Sequence, residues 1–121
     1  MISDVVARNN ISGFQSVIND SGKIILGFSD SSTLLVSSLD VTTPTNDSDN
    51  MRYYFVVSAN VDLSSVSDRN LVSVEIQALD PYTEVDVSMW KENTNIDLSG
   101  YDTLQITIEF EHSYDYVGSN P

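Results

Sequence analysis

Cysteine is absent from all 121 residues. Its absence excludes a disulfide framework and any thiolate metal site, and leaves packing as the source of stability. Histidine occurs once, at His112, so a histidine-rich zinc centre is excluded as well. No apolar run approaches the roughly 20 residues that a membrane helix needs. The opening stretch, MISDVVARNNISGF, carries neither the basic leader nor the apolar segment of a secretory signal. The expectation is a soluble cytoplasmic protein without a signal peptide, or one carried in a virion.

Positive charge is equally scarce. Five basic residues face 18 acidic ones, for a formal net charge of -13. Affinity for phosphate backbones and anionic lipid depends on clustered Lys and Arg, so nucleic-acid and membrane partners are not expected. Asp outnumbers Glu 13 to 5 and sits among Ser, Asn and Thr, which is the chemistry of turns that bond their own backbone.

What the chain does have is alternation. Leu104, Ile106, Ile108 and Phe110 interleave with Gln105, Thr107, Glu109 and Glu111, giving one face to a core and the other to water. Val72, Val74, Ile76 and Ala78 form a second such strand, and Val85, Val87 and Met89 a third. Asp80-Pro81-Tyr82-Thr83 joins these two as a hairpin, because proline presets the turn and Asp bonds the backbone that follows. KIILGF (23–28) and TLLVSSL (33–39) read as another hairpin. RYYFVVSA (52–59) is apolar or aromatic on both faces, as a covered central strand or a subunit contact would be. SGFQSVI (12–18) reads as an edge strand, and VTTPTNDSDN (41–50) as a polar loop. Helical periodicity is not evident. One domain of seven or eight short strands results: an all-β, antiparallel, jelly-roll-like β-sandwich over residues 12–117, with an N-terminal arm over 1–11 and a C-terminal tail over 118–121.

One phrase occurs twice, as Asn60-Val61-Asp62-Leu63-Ser64 and Asn95-Ile96-Asp97-Leu98-Ser99. In each, Asp caps a short turn and Leu tucks under the sheet, so the phrase delivers the chain into its next strand. The two copies are expected at equivalent positions in two halves of a pseudo-symmetric sandwich. IDLSGYDTLQI, which contains the second copy, resembles a turn-to-strand phrase of jelly-roll carbohydrate-binding modules and of β-rich phage virion proteins. The resemblance implies architecture and assigns no functional residue.

No catalytic cluster stands out. His112 lies beside Glu111, with Tyr114, Asp115 and Tyr116 nearby; a proton relay or a metal pair is one reading, and a surface histidine at a strand end the other. Glu109 and Glu111 share the solvent face of a strand rather than an apolar setting. NDSDN (46–50) offers oxygen ligands of the kind Ca²⁺ takes but lacks the glycine and distal Glu of an EF-hand. Sequons at Asn10, Asn19 and Asn46 go with a secretory route the leader does not support.

The expected protein is therefore not an enzyme and has no cofactor and no metal. It is a structural or interaction component of a larger assembly, such as a phage capsid decoration or tail protein, a homo-oligomer whose partners are capsid or other assembly proteins. Its contact residues are Arg52, Tyr53, Tyr54, Phe55 and Val57. The alternative is a carbohydrate-binding β-sandwich, calcium-dependent in one form, with Tyr82, Trp90 and Tyr101 as stacking residues.

Overall fold

A computed structural model describes residues 1–118. It has eight strands in two antiparallel sheets and one helix, an all-β, sandwich-like make-up. In chain order these are α1 (Asp4–Ser21), β1 (Lys23–Phe28), β2 (Thr33–Val36), β3 (Asp40–Val41), β4 (Thr45–Asp47), a single 3₁₀ turn (Ser48–Asn50), β5 (Arg52–Asp62), β6 (Asn70–Leu79), β7 (Asp86–Asp97) and β8 (Thr103–Ser113). The residues gather into two compact units, and β5 and β8 contribute to both.

The first unit comprises residues 1–20, 40–58 and those from Thr107 onward. Its helix corrects two expectations: the edge strand at 12–18 and residues 4–11 of the arm at 1–11 are parts of α1. Ser3 caps it, its Oγ accepting from the Val6 amide and its carbonyl from the Ala7 amide, which satisfies donors a helix start leaves open. Ala7, Ile11 and Ile18 are buried and Phe14 lies on the same side, a spacing of four, three and four that is one face of a helix. The Phe14 ring stands 5.1 Å from Phe110 and 6.1 Å from Phe55, and Phe55 stacks on Phe110 at 5.3 Å. Along β5, Tyr53, Phe55 and Val57 are buried while Arg52, Tyr54, Val56 and Ser58 alternate with them, half-buried.

β5 pairs with β8, and β3 and β4 also pair with it, opposite Val57 to Ser58 and Arg52 to Tyr54. The supposed polar loop at 41–50 thus holds most of an edge strand, broken in the middle. Pro44 has no amide to donate there. Across the break the Thr42 amide donates to the Val56 carbonyl, and Thr42 Oγ1 accepts from the Val56 amide. Residues 2–4 and 115–118 also meet in this unit. Ser3 bridges Tyr116 in parallel, and the Asp4 and Asp115 amides donate to the Tyr116 and Ile2 carbonyls at 3.0 and 2.7 Å. The Ile2 and Gly118 amides donate to the carboxylates of Asp115 and Asp4. Of the tail expected at 118–121, residues from 119 on lie outside the described residues.

The second unit comprises residues 21–39 and 59–106, with strands in the order β2-β1-β6-β7. β1 and β2 form the expected hairpin, Leu26 opposite Leu34. β1 then pairs with β6, Ile24 opposite Ile76, and Ile24, Leu26, Phe28, Leu71, Ile76 and Ala78 are buried. At Gly27, opposite Ser73, a methyl group would lie 2.3 Å from the Ser73 hydroxyl, so glycine allows the close pairing. β7 is irregular: Ile76 faces Trp90 but Gln77 faces Ser88, leaving Met89 bulged out. A one-residue shift reverses the faces beyond it. Val87 is thereby placed opposite buried Ala78 yet stands exposed near the tip, and Val85, expected to face a core with Met89, falls in the turn before β7.

The repeated phrase does the same thing twice. Ser64 and Ser99 donate their amides to the carboxylates of Asp62 and Asp97, each at 2.9 Å. Leu63 and Leu98 are buried, and their carbonyls accept from the Val66 and Tyr101 amides. Their own amides cross over, Leu63 donating to Asp102 and Leu98 to Arg69. Each copy carries the chain from one sheet to the other, from β5 to β6 and from β7 to β8. Both copies nevertheless lie within the second unit, so they form one clasp rather than marking two halves.

Candidate functional site

Of the residues expected at a partner contact, Tyr53, Phe55 and Val57 are buried within their own fold. This corrects the expected interface: one apolar face of the strand is covered within the fold, where Phe14 of α1 packs on Phe55. Arg52 and Tyr54 lie on the other face. The Arg52 guanidinium sits 4.5 Å from the centre of the Tyr54 ring. Its Nε donates to Asp47 at 3.0 Å, and one terminal nitrogen to Glu109 and Glu111 at 3.1 and 2.7 Å. The three carboxylates, Glu111 foremost, raise the Arg52 pKa further. Arg52 thereby fastens β4, β5 and β8 together, and its charge is spent inside the chain.

The loop proposed from composition to hold calcium is occupied by its own bonds. The Asp47 carboxylate accepts from the amide and side chain of Asn50 and from Arg52. These hydrogen bonds, the Asn50 side chain first, hold its pKa below the usual carboxylate value. Among the described residues no group of three or more His, Asp and Glu side chains is arranged for a metal ion. His112 lies with its Nδ1 3.4 Å from the Asn10 side-chain nitrogen.

The three aromatics expected to stack on sugar do not form one platform. Tyr82 is at the β6–β7 turn, Trp90 is within β7 opposite Ile76, and Tyr101 follows β7. The full 12 residues of β7, about 35 Å of extended chain, separate Tyr82 from Tyr101.

Two features remain that offer binding surface. The first is the β6–β7 tip. Asp80 organises it: its carboxylate accepts from the Tyr82 and Thr83 amides, its carbonyl accepts from the Glu84 amide at 2.8 Å, and its amide donates to Val85 at 2.9 Å. Glu84 closes the turn at a φ of 57°. On this frame Tyr82 is 95% exposed and Val85 59%, with Leu79 and Val87 also exposed. The flanking acid, Asp86, is paired with Lys23.

The second is a recess of about 250 Å³ in the first unit, between α1 and β8. Ile11, Phe14 and Phe110 form its apolar wall, and Asn10, Glu111 and His112 its polar rim. Sequence reasoning missed this recess because it missed the helix; Ala7, Ile11, Phe14 and Ile18 were the available signal. A smaller, polar recess of about 160 Å³ in the second unit is lined by Asp30, Ser32, Ser65 and Ser67 among others.

Compared with protein-family models, curated proteins and solved structures, the chain matches none. Among the described residues no helix is long and apolar enough to cross a membrane.

Proposed function

We propose that this chain is a non-enzymatic interaction protein that works within a larger assembly, as a virion component such as a capsid decoration or tail protein does, and that the β6–β7 tip makes the contact. The observation that carries the reading is the exposure of Tyr82 and Val85 on a turn held by four hydrogen bonds, with Leu79 and Val87 exposed on the strands beside it. Exposed apolar side chains of this kind are favourable to cover. A rigid tyrosine adds contact area while losing little conformational freedom, which is why tyrosine recurs at the centres of interfaces.

The test is light scattering over a dilution series, together with a benzoylphenylalanine photo-crosslinker introduced at position 82. A mass above that of one chain, with an adduct at position 82, supports the reading. A single-chain mass at every concentration and no adduct overturn it.

A further inference from the structure

We infer that the β6–β7 tip is the contact for a basic partner protein, one that lays an arginine side chain on the Tyr82 ring and pairs it with Glu84. The inference rests on the interaction reading above and names the chemistry of the partner.

The chain carries its own example of such a contact. The Arg52 guanidinium lies 4.5 Å from the centre of the Tyr54 ring while it donates to Asp47, Glu109 and Glu111. A planar cation over an aromatic face, with carboxylates at its edge, satisfies its charge and its donors together. The tip holds the same groups without the cation. Tyr82 is 95% exposed, and Glu84, two residues on in the same turn, is exposed and forms no ion pair among the described residues. The Asp80 carboxylate, bonded to the Tyr82 amide, adds to the negative charge of the turn.

The basic residues of the second unit are engaged elsewhere. Lys23 pairs with Asp86, Arg69 donates to the Val66 and Tyr101 carbonyls, and Lys91 lies opposite Glu75 on β6. The cation that completes the tip therefore comes from another molecule. Charge decides against a second copy as its source, because two chains at -13 each repel one another, whereas a basic surface is drawn in by the same field. Leu79 and Val85, exposed near Tyr82, suit the methylene stem of an arginine. Lysine can pair with Glu84 but has no planar face to lay on the ring, so a preference for arginine separates this contact from the general attraction of an acidic chain for cations.

The probe is an end-capped peptide of alternating arginine and leucine, with its lysine counterpart for comparison. Amide chemical shifts of the full chain read binding at low and high salt. Wild type is expected to take the arginine peptide with shifts centred on residues 80–86, about threefold more tightly than the lysine peptide, and less tightly as salt rises. Tyr82→Ser leaves the net charge unchanged and should erase the preference for arginine. Glu84→Gln should weaken both peptides about threefold, while Glu92→Gln, which removes the same charge from the middle of β7, should leave binding at the tip unchanged. All three positions are exposed, and circular dichroism checks that each variant keeps its fold. If the two peptides bind equally, or the shifts spread over the acidic surface, net charge alone is acting; the inference is overturned and the interaction reading stands. A benzoylphenylalanine at position 82 that captures a second copy in preference to the arginine peptide has the same meaning. A chain of single-chain mass whose crosslinker captures neither a second copy nor the peptide overturns both.

Discussion

Asp62 and Asp97 accept the same hydrogen bond, from the amide two residues ahead, at the same 2.9 Å. Bonds from Ser64, backbone first, hold the Asp62 pKa below its ordinary value, and those from Ser99, side chain first, do the same for Asp97. Each carboxylate therefore stabilises the fold above the ordinary carboxylate pKa of 3.8, and the contribution is lost as pH falls through the lowered folded value. Asn keeps the accepting oxygen without the charge. The double variant Asp62→Asn/Asp97→Asn should melt below wild type at pH 7, and the gap should close as pH falls below 3.8 through the lowered folded values. Thermal melts of both proteins across that range measure it.

The two turns share a phrase but not a backbone. Gly100 sits at a φ of 85°, whereas its counterpart Ser65 is not among the residues at positive φ. A methyl group on Gly100 would meet nothing within 4 Å, so the cost of Gly100→Ala is conformational alone, roughly 1–2 kcal/mol. Ser65→Ala should be close to neutral. Urea denaturation of the two variants side by side gives the comparison.

Phe55 is fully buried between the Phe14 and Phe110 rings. Phe55→Ala should cost about 3–5 kcal/mol by chemical denaturation. In a double-mutant cycle, Phe14→Ala and Phe110→Ala should not add, since the rings lie 5.1 Å apart and share the same packing.

Arg52→Ala would leave Asp47, Glu109 and Glu111 without their common cation. Amide exchange should then quicken at Thr45 to Asp47, the short strand that Arg52 fastens. Stability of the variant should rise with salt, because screening relieves the three carboxylates. Hydrogen-exchange mass spectrometry in low and high salt reads both effects.

The strands were legible where alternation was clean. Leu104, Ile106, Ile108 and Phe110 face inward as their pattern implies, and Asp80 closes its hairpin with the bonds a turn aspartate is expected to make. The Asp-Leu phrase announced its turns. The helix was hidden by its own composition: Asn9, Asn10, Ser12, Gly13, Ser16 and Asn19 are poor helix formers, so the Ala7 to Ile18 stripe was outweighed. Tertiary packing on Phe55 and Phe110 decides the matter in the fold. Missing α1 had two consequences: Phe55 and Val57 looked available to a partner, and the recess lined by Ile11 and Phe14 was invisible. Val85 and Val87 were misplaced for another reason. Alternation carries no mark of where a strand meets its turn: Val85 lies before β7 begins, and Val87, although opposite buried Ala78, stands exposed near the tip.

The parallel bridge between Ser3 and Tyr116 gives the molecule a mechanical character. Tension applied at Ile2 and Gly118 reaches the short stitch of Ile2, Asp4, Asp115 and Gly118 before any long strand is loaded. Those few bonds give way first and act as a fuse, absorbing a pull while β5 and β8 keep their registration.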